Sequence, residues 1–304
     1  MSRTFSIFQP EAMLAALDWL GFFHSGQSSA DEAALGAELQ RAAEVHRCNL
    51  VKVNLSLEQV ARLGEALKDG VLEFNCIECI VPVIPLMTAL AEGGGALQSL
   101  MLADIDFKEV EEEEGGGELW LARALSKCTL LTAIRLVKVR LGNVGTLALA
   151  PSLAFLKELK ILKLSHCDIS DAGMLTLATS LKENCSQLQS LSLDSNSLGD
   201  PSAFALADCC AGLPCLILLD VFNNQIGDSG IDALAKAMPL CPELKFVNLA
   251  FNPFSDLSMA SLVQAVPHCK SLCSVSTTGS RASPSVAAIV EALVNGPRHS
   301  KAVA

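Results

Sequence analysis

Along residues 216–230, LILLDVFNNQIGDSG, a leucine or its equivalent falls at Leu216, Leu219, Val221 and Ile226, with Asn224 among them. Leu219 and Val221 stand two residues apart, the spacing that points both side chains to one face of a strand. Further on the period changes. Ile231, Leu234, Ala235 and Met238 recur at steps of three and four, which places them on one face of a helix. The stretch predicts a short strand, a turn and a helix.

The unit recurs. Aligned on L-x-x-L-x-L-x-x-N-x-L, first positions fall at Leu131, Leu159, Leu188, Leu216, Leu244 and Leu272, at spacings of 28, 29, 28, 28 and 28. Leu97 opens a further copy 34 residues before Leu131, and two degenerate copies precede it, VHRCNLVKVNL from Val45 and DGVLEFNCIEC from Asp69. Nine units thus run from residue 45 to about 282. Strand then helix, repeated in one direction, requires parallel strands. No unit buries its apolar face alone, so neighbours stack into a solenoid. Strands lie about 4.8 Å apart and packed helices about 10 Å, so the stack curves with its strands inside. Prolines agree: Asp200-Pro201, Ser283-Pro284 and Ile84-Pro85 fall where a first helical turn tolerates them.

Residues 10–23 and 31–44 read as two amphipathic helices, and 284–294 as a last helix stopped by Asn295-Gly296-Pro297. The expected division is a helical cap over 1–44, repeats over 45–282, and a helical cap and tail over 283–304. Terminal repeats need covering for solubility; docking to a partner is the other use of the N-terminal helices.

The best copies are LKILKLSHCDISDAG, LQSLSLDSNSLGDPS, LILLDVFNNQIGDSG and LKFVNLAFNPFSDLS. They resemble leucine-rich repeats of the long type found in ribonuclease inhibitor and the Ran GTPase-activating protein. The resemblance implies a right-handed α/β horseshoe, with parallel strands on the concave face and helices on the convex face. It also implies a protein-binding module or scaffold subunit; regulation of a nucleotide-binding partner, as by a GTPase-activating protein, is the alternative. No functional residue of either relative matches a motif here. The chain has no Tyr, and its two Trp, Trp19 and Trp120, lie off the predicted strands.

Asn196, Asn224 and Asn252 take the ninth position of their repeats, and Cys167 takes it in another copy. The chain leaves the strand there, so backbone groups lose ladder partners that an inward amide can satisfy. Several cysteines also follow the register: Cys128, Cys185, Cys241 and Cys269 precede a repeat start by three residues. Cys76-Ile-Glu-Cys79 is a CxxC without the second pair or His that a zinc site needs.

Positions three, five and seven of each strand point onto the concave face. Position five is expected to run Asn49, Glu73, Met101, Arg135, Lys163, Ser192, Asp220, Asn248, Ser276. Position seven is expected to run Val51, Asn75, Ala103, Val137, Ser165, Asp194, Phe222, Ala250, Thr278. The centre is basic, with Arg135, Lys138, Arg140, Lys163 and His166; towards the C-terminal end Leu218, Phe222, Phe246 and Phe251 stand beside Asp194, Asp220 and Asn248. Grouped aromatics on a concave surface suit a protein contact; filling of uneven rungs is the other reading. The basic cluster reads as a solvated surface or as an attraction for an acidic partner. Residues 108–118 carry six glutamates between 109 and 118 and read as a solvated loop. One arrangement folds that loop over Arg135 and Lys138.

Composition narrows the function. The chain has 304 residues, is 51% hydrophobic and carries a net charge of −11. That excludes a disordered chain and argues against a nucleic-acid binder. No apolar run approaches the ~18 residues of a membrane span, and Glu11 and Asp18 break the N-terminal tract, so no signal peptide is expected. The twelve cysteines read as free thiols. The motifs G-x-x-x-x-G-K-[ST], G-x-S-x-G and H-E-x-x-H are absent. The expectation is a non-catalytic protein without cofactor or metal, binding protein rather than nucleic acid or membrane. A cytoplasmic place is expected; cytoskeletal association and membership of a larger assembly stay open.

Overall fold

The computed structural model describes residues 45–105 and 116–294, together with Leu39 and Ala42. The N-terminal helices expected over 10–23 and 31–44, and most of the acidic loop, lie outside the described residues apart from those two.

Nine strands form one parallel sheet in chain order. They are β1 (Arg47–Val51), β2 (Glu73–Ile77), β3 (Ser99–Ala103), β4 (Ala133–Val137), β5 (Ile161–Ser165), β6 (Ser190–Ser192), β7 (Leu218–Asp220), β8 (Phe246–Asn248) and β9 (Ser274–Ser276). Helices alternate with them: α1 (Leu57–Lys68), α2 (Val83–Gly93), α3 (Gly116–Leu125), α4 (Gly142–Ser152), α5 (Asp171–Asn184), α6 (Asp200–Cys209), α7 (Asp228–Ala237), α8 (Asp256–Ala265) and α9 (Pro284–Val294). Each strand pairs with the next, and each helix packs on the next. One continuous core runs between the two layers. In the seventh repeat it takes Leu216, Leu219, Val221, Ile226, Ile231 and Leu234, all under 3% exposed.

The expected register fails in one place. Asn49 pairs with Asn75, and Arg47 pairs with Glu73. Position five of the second repeat is therefore Asn75 and position three is Glu73; the copy starts at Val71, not Asp69. Position seven becomes Ile77, which pairs with Val51 and Ala103. The corrected register also explains the CxxC. Cys76 fills the core position six and Cys79 the ninth position, both buried.

The ninth position divides the sheet. It is Val53, Cys79, Ile105, Val139 and Cys167 in the first five repeats, then Asn196, Asn224 and Asn252. Strands β1 to β5 have five residues and β6 to β9 have three. Asn196 Nδ2 donates to Leu164 O (2.8 Å) and Leu193 O (3.0 Å), while its Oδ1 accepts from the N–H groups of Cys167 and Ile169. The amide thus takes carbonyls that a longer strand would have paired. Asn224 and Asn252 repeat the pattern one and two rungs on.

A second ladder ties the helices. Asp171 Oδ1 accepts from the N–H groups of Gly199 and Ser202, at the start of α6. Asp200 does the same for Gly227 and Gly230 of the next repeat, and Asp228 for Ser255 and Ser258. Asn143 opens the series on Ser170 and Gly173. Each side chain, set at the start of one helix, caps its neighbour, satisfying donors that no intrahelical carbonyl reaches; the three aspartates also place negative charge by the positive helix end.

Candidate functional site: the concave face

Position eight, just past each strand, is left-handed in every repeat, from Lys52 (φ 54) to Gly279 (φ 74). This turns the chain out of the sheet and aims the eighth side chain over the rim. Positions three, five, seven and eight together make the concave surface.

In the first five repeats that surface is ionic, and three cation–carboxylate pairs cross its rungs. Arg47 meets Glu73 at 2.6 Å, Lys52 meets Glu78 at 3.5 Å, and Lys138 meets Asp104 at 3.5 Å. Arg135 donates to Ser99 Oγ at 3.2 Å. Burial lowers the Arg135 guanidinium from its ordinary value, with Glu73 opposing. Arg140 and His166 are exposed; the His166 N–H donates to Asp194 O. Of the basic centre expected from the sequence, Lys138 and Lys163 thus face carboxylates of neighbouring rungs, Asp104 and Asp194. An apolar row lies beside it: Val51, Ile77, Met101 and Ala103, with Val137 against them. The slipped register had hidden Ile77 from this row.

The last four repeats differ. Asp194 accepts from Ser165 Oγ at 2.5 Å and lies 3.5 Å from Lys163 Nζ. Asp220 is on the concave side as expected, but it is not free: it is 7% exposed, and Asn248 is 3% exposed. Curvature draws the concave side chains of adjacent strands together, so a short residue at position five is shaded by its neighbours. Asp220 accepts from the Phe222 N–H at 3.0 Å. Its carboxyl is pushed up to about 6, chiefly by burial and further by Asp194, against the Phe222 N–H, Lys163 and Asn248.

Above these carboxylates stand aromatics. Phe222 and Phe251 meet edge to face, with centroids 5.1 Å apart and planes at 61°. Phe251 is 52% exposed, and its φ of 56° is one that bulky residues seldom adopt. Gly279 makes room for it: a Cβ there would come within 2.9 Å of the Phe251 ring. Leu218 and Phe246 are half-buried on neighbouring rungs and pair directly across β7 and β8. The structure thus brings Asp194, Asp220, Phe222, Asn248 and Phe251 onto one quarter of the concave face, with Lys163 at its edge.

Among the described residues no three His, Cys, Asp or Glu side chains form a group able to hold a metal. The cysteines are free thiols, ten of them buried. Burial pushes Cys128 and Cys167 up to about 12, so both are neutral packing groups. A hydrogen bond with Cys79, together with burial, pushes the Cys76 thiol well up. No described helix is long and apolar enough to cross a membrane.

Residues 157–178, 184–207 and 212–235 match the leucine-rich repeat family. With nine parallel strands alternating with helices, that decides the architecture. The fold is an α/β leucine-rich-repeat solenoid. No curated protein sequence matches the chain. Among solved structures the solenoid is similar to actin-binding site 2 of leiomodin-1, at 16% identity and TM-score 0.41 over 49% of this chain and 86% of that one. It is similar to a Bacteroides fragilis protein, at 15% identity and TM-score 0.44 over 76% and 74%. Internalin C2 from Listeria monocytogenes gives 22% identity and TM-score 0.39 over 81% and 92%.

Proposed function

We propose that this solenoid is a non-catalytic interaction module, or a scaffold subunit of an assembly, that binds a protein partner through its concave face. The observation that carries this reading is the contact between half-buried Phe222 and exposed Phe251 on the concave rim. Phe251 holds a left-handed position that other repeats give to Lys, Glu, Asp, His, Ser, Asn or Gly. A large apolar ring there gains the fold little that a polar residue would not, whereas aromatics grouped over shaded polar groups are what protein interfaces use as anchors. The 28-residue period and the helical convex layer support the long repeat type shared with ribonuclease inhibitor and the Ran GTPase-activating protein.

The test compares proteins retained from native extract by the wild type and by a Phe222→Ser/Phe246→Ser variant. The reading expects a partner lost only with the variant, at unchanged far-UV circular dichroism. Retention of every partner by the variant contradicts it.

A further inference from the structure

The two ends of the concave face differ in charge compensation. In the first five repeats, cations and carboxylates face one another in pairs. Positions three, five, seven and eight of the last four repeats hold two carboxylates, Asp194 and Asp220, and no lysine, arginine or histidine. Among the described residues the one cation within reach is Lys163, from the fifth repeat, and it lies 3.5 Å from Asp194. Two carboxylates therefore share a single lysine. On the far side of Asp220 stands neutral Asn248, paired with it across the sheet.

We infer that this quarter of the concave face recognises a basic segment of a partner protein, in which a lysine or arginine lies beside an apolar residue. The cation would sit against Asp220 and Asp194, and the apolar side chain against the Phe222 and Phe251 rings. This rests on the reading of the concave face as a protein-binding surface.

Charge complementarity selects the occupant. An acidic segment would add a third negative group to two that share one lysine. A purely apolar segment would cover Asp220 further and leave its charge without a counter-ion, which is costly. A cation supplies that counter-ion, and the faces of Phe222 and Phe251 attract it as well. The raised Asp220 carboxyl reports the same deficit, since burial and Asp194 outweigh Lys163 and the local hydrogen bonds. The elements packed against Asp220 present Asp194 and Lys163 as their charged groups, so binding should weaken as Asp220 takes up a proton near pH 6.

The experiment selects linear dodecapeptides from a random phage-displayed library on the full chain. Selected peptides are then synthesised and titrated by fluorescence anisotropy. The variants are Asp220→Asn, which keeps shape and an acceptor for the Phe222 N–H, and Phe251→Asn, which restores a residue suited to φ > 0. The inference expects sequences enriched in Lys or Arg next to Leu, Ile or Phe. It expects affinity to fall about tenfold or more with Asp220→Asn, the scale of losing one partner of a shielded charge pair, and to fall between pH 7.5 and pH 5. Concave-dependent peptides that are acidic or uncharged, or are indifferent to Asp220→Asn, would overturn the inference and leave the concave reading standing. Peptides indifferent to both variants, or no selected peptide at all, would overturn both.

Discussion

Asp220→Asn should make the protein more stable while weakening its recognition of a partner. The Asp220 carboxyl has an ordinary value of 3.8 and is raised to about 6 in the fold, mainly by burial. Each pH unit between those values corresponds to about 1.4 kcal/mol, so the charged side chain costs the folded state about 3 kcal/mol at neutral pH. The sign follows from proton uptake. Between pH 4 and 6 the folded protein holds a proton that the unfolded chain releases, so the cost is full above about pH 6 and is gone below 3.8. Asparagine has no charge to bury and can still accept from the Phe222 N–H. Urea unfolding of both proteins at pH 8, 7, 6 and 5 reads the difference directly. The variant should gain about 1–3 kcal/mol at pH 7–8, with the gain shrinking through pH 6. A gain that does not change with pH, or a loss at pH 8, would refute the argument that an undercompensated charge is buried there.

Other substitutions probe the frame. Asn224→Leu removes donations to Leu193 O and Val221 O and the acceptor for the Leu198 N–H. It should cost about 2–4 kcal/mol in urea unfolding, because buried backbone groups are left unpaired; a loss below 1 kcal/mol would mean water replaces the amide. Cys79→Val should change the unfolding free energy by less than about 1 kcal/mol, because Val53 and Val139 occupy the same position in their repeats; a large loss would mean the thiol does more than pack. Phe251→Asn should keep or raise the melting temperature, since Asn tolerates φ > 0 better than Phe. A fall of several degrees would show the ring to be a structural support rather than a contact.

Much of the architecture could be read from the chain because the leucine positions repeat at a nearly constant period. The second copy is out of register in sequence because DGVLEFNCIEC lacks leucine at its diagnostic positions; the pairing of Asn75 with Asn49 and Met101 fixes it. The asparagine ladder was legible from the ninth position. The helix-capping ladder was equally available, since Asn143, Asp171, Asp200, Asp228 and Asp256 stand 28, 29, 28 and 28 residues apart. Their spacing alone does not disclose the role, because each side chain caps a helix one repeat ahead of its own. Alternation could place Asp220 on the concave side, but not foresee that curvature would bury it. The contact of Phe222 with Phe251 depends on the left-handed eighth position, which a side-chain pattern does not reveal.

The central claim, protein binding on the concave face, is tested most directly by replacing single phenylalanines with the photo-cross-linker benzoylphenylalanine. Phe246 and Phe251 report the concave side. Phe204, 50% exposed on α6, reports the convex side with the same chemistry. After irradiation in native extract, the account predicts one protein joined to both concave positions and missing from Phe204. Adducts at Phe204 alone, or none at the concave positions, would contradict it.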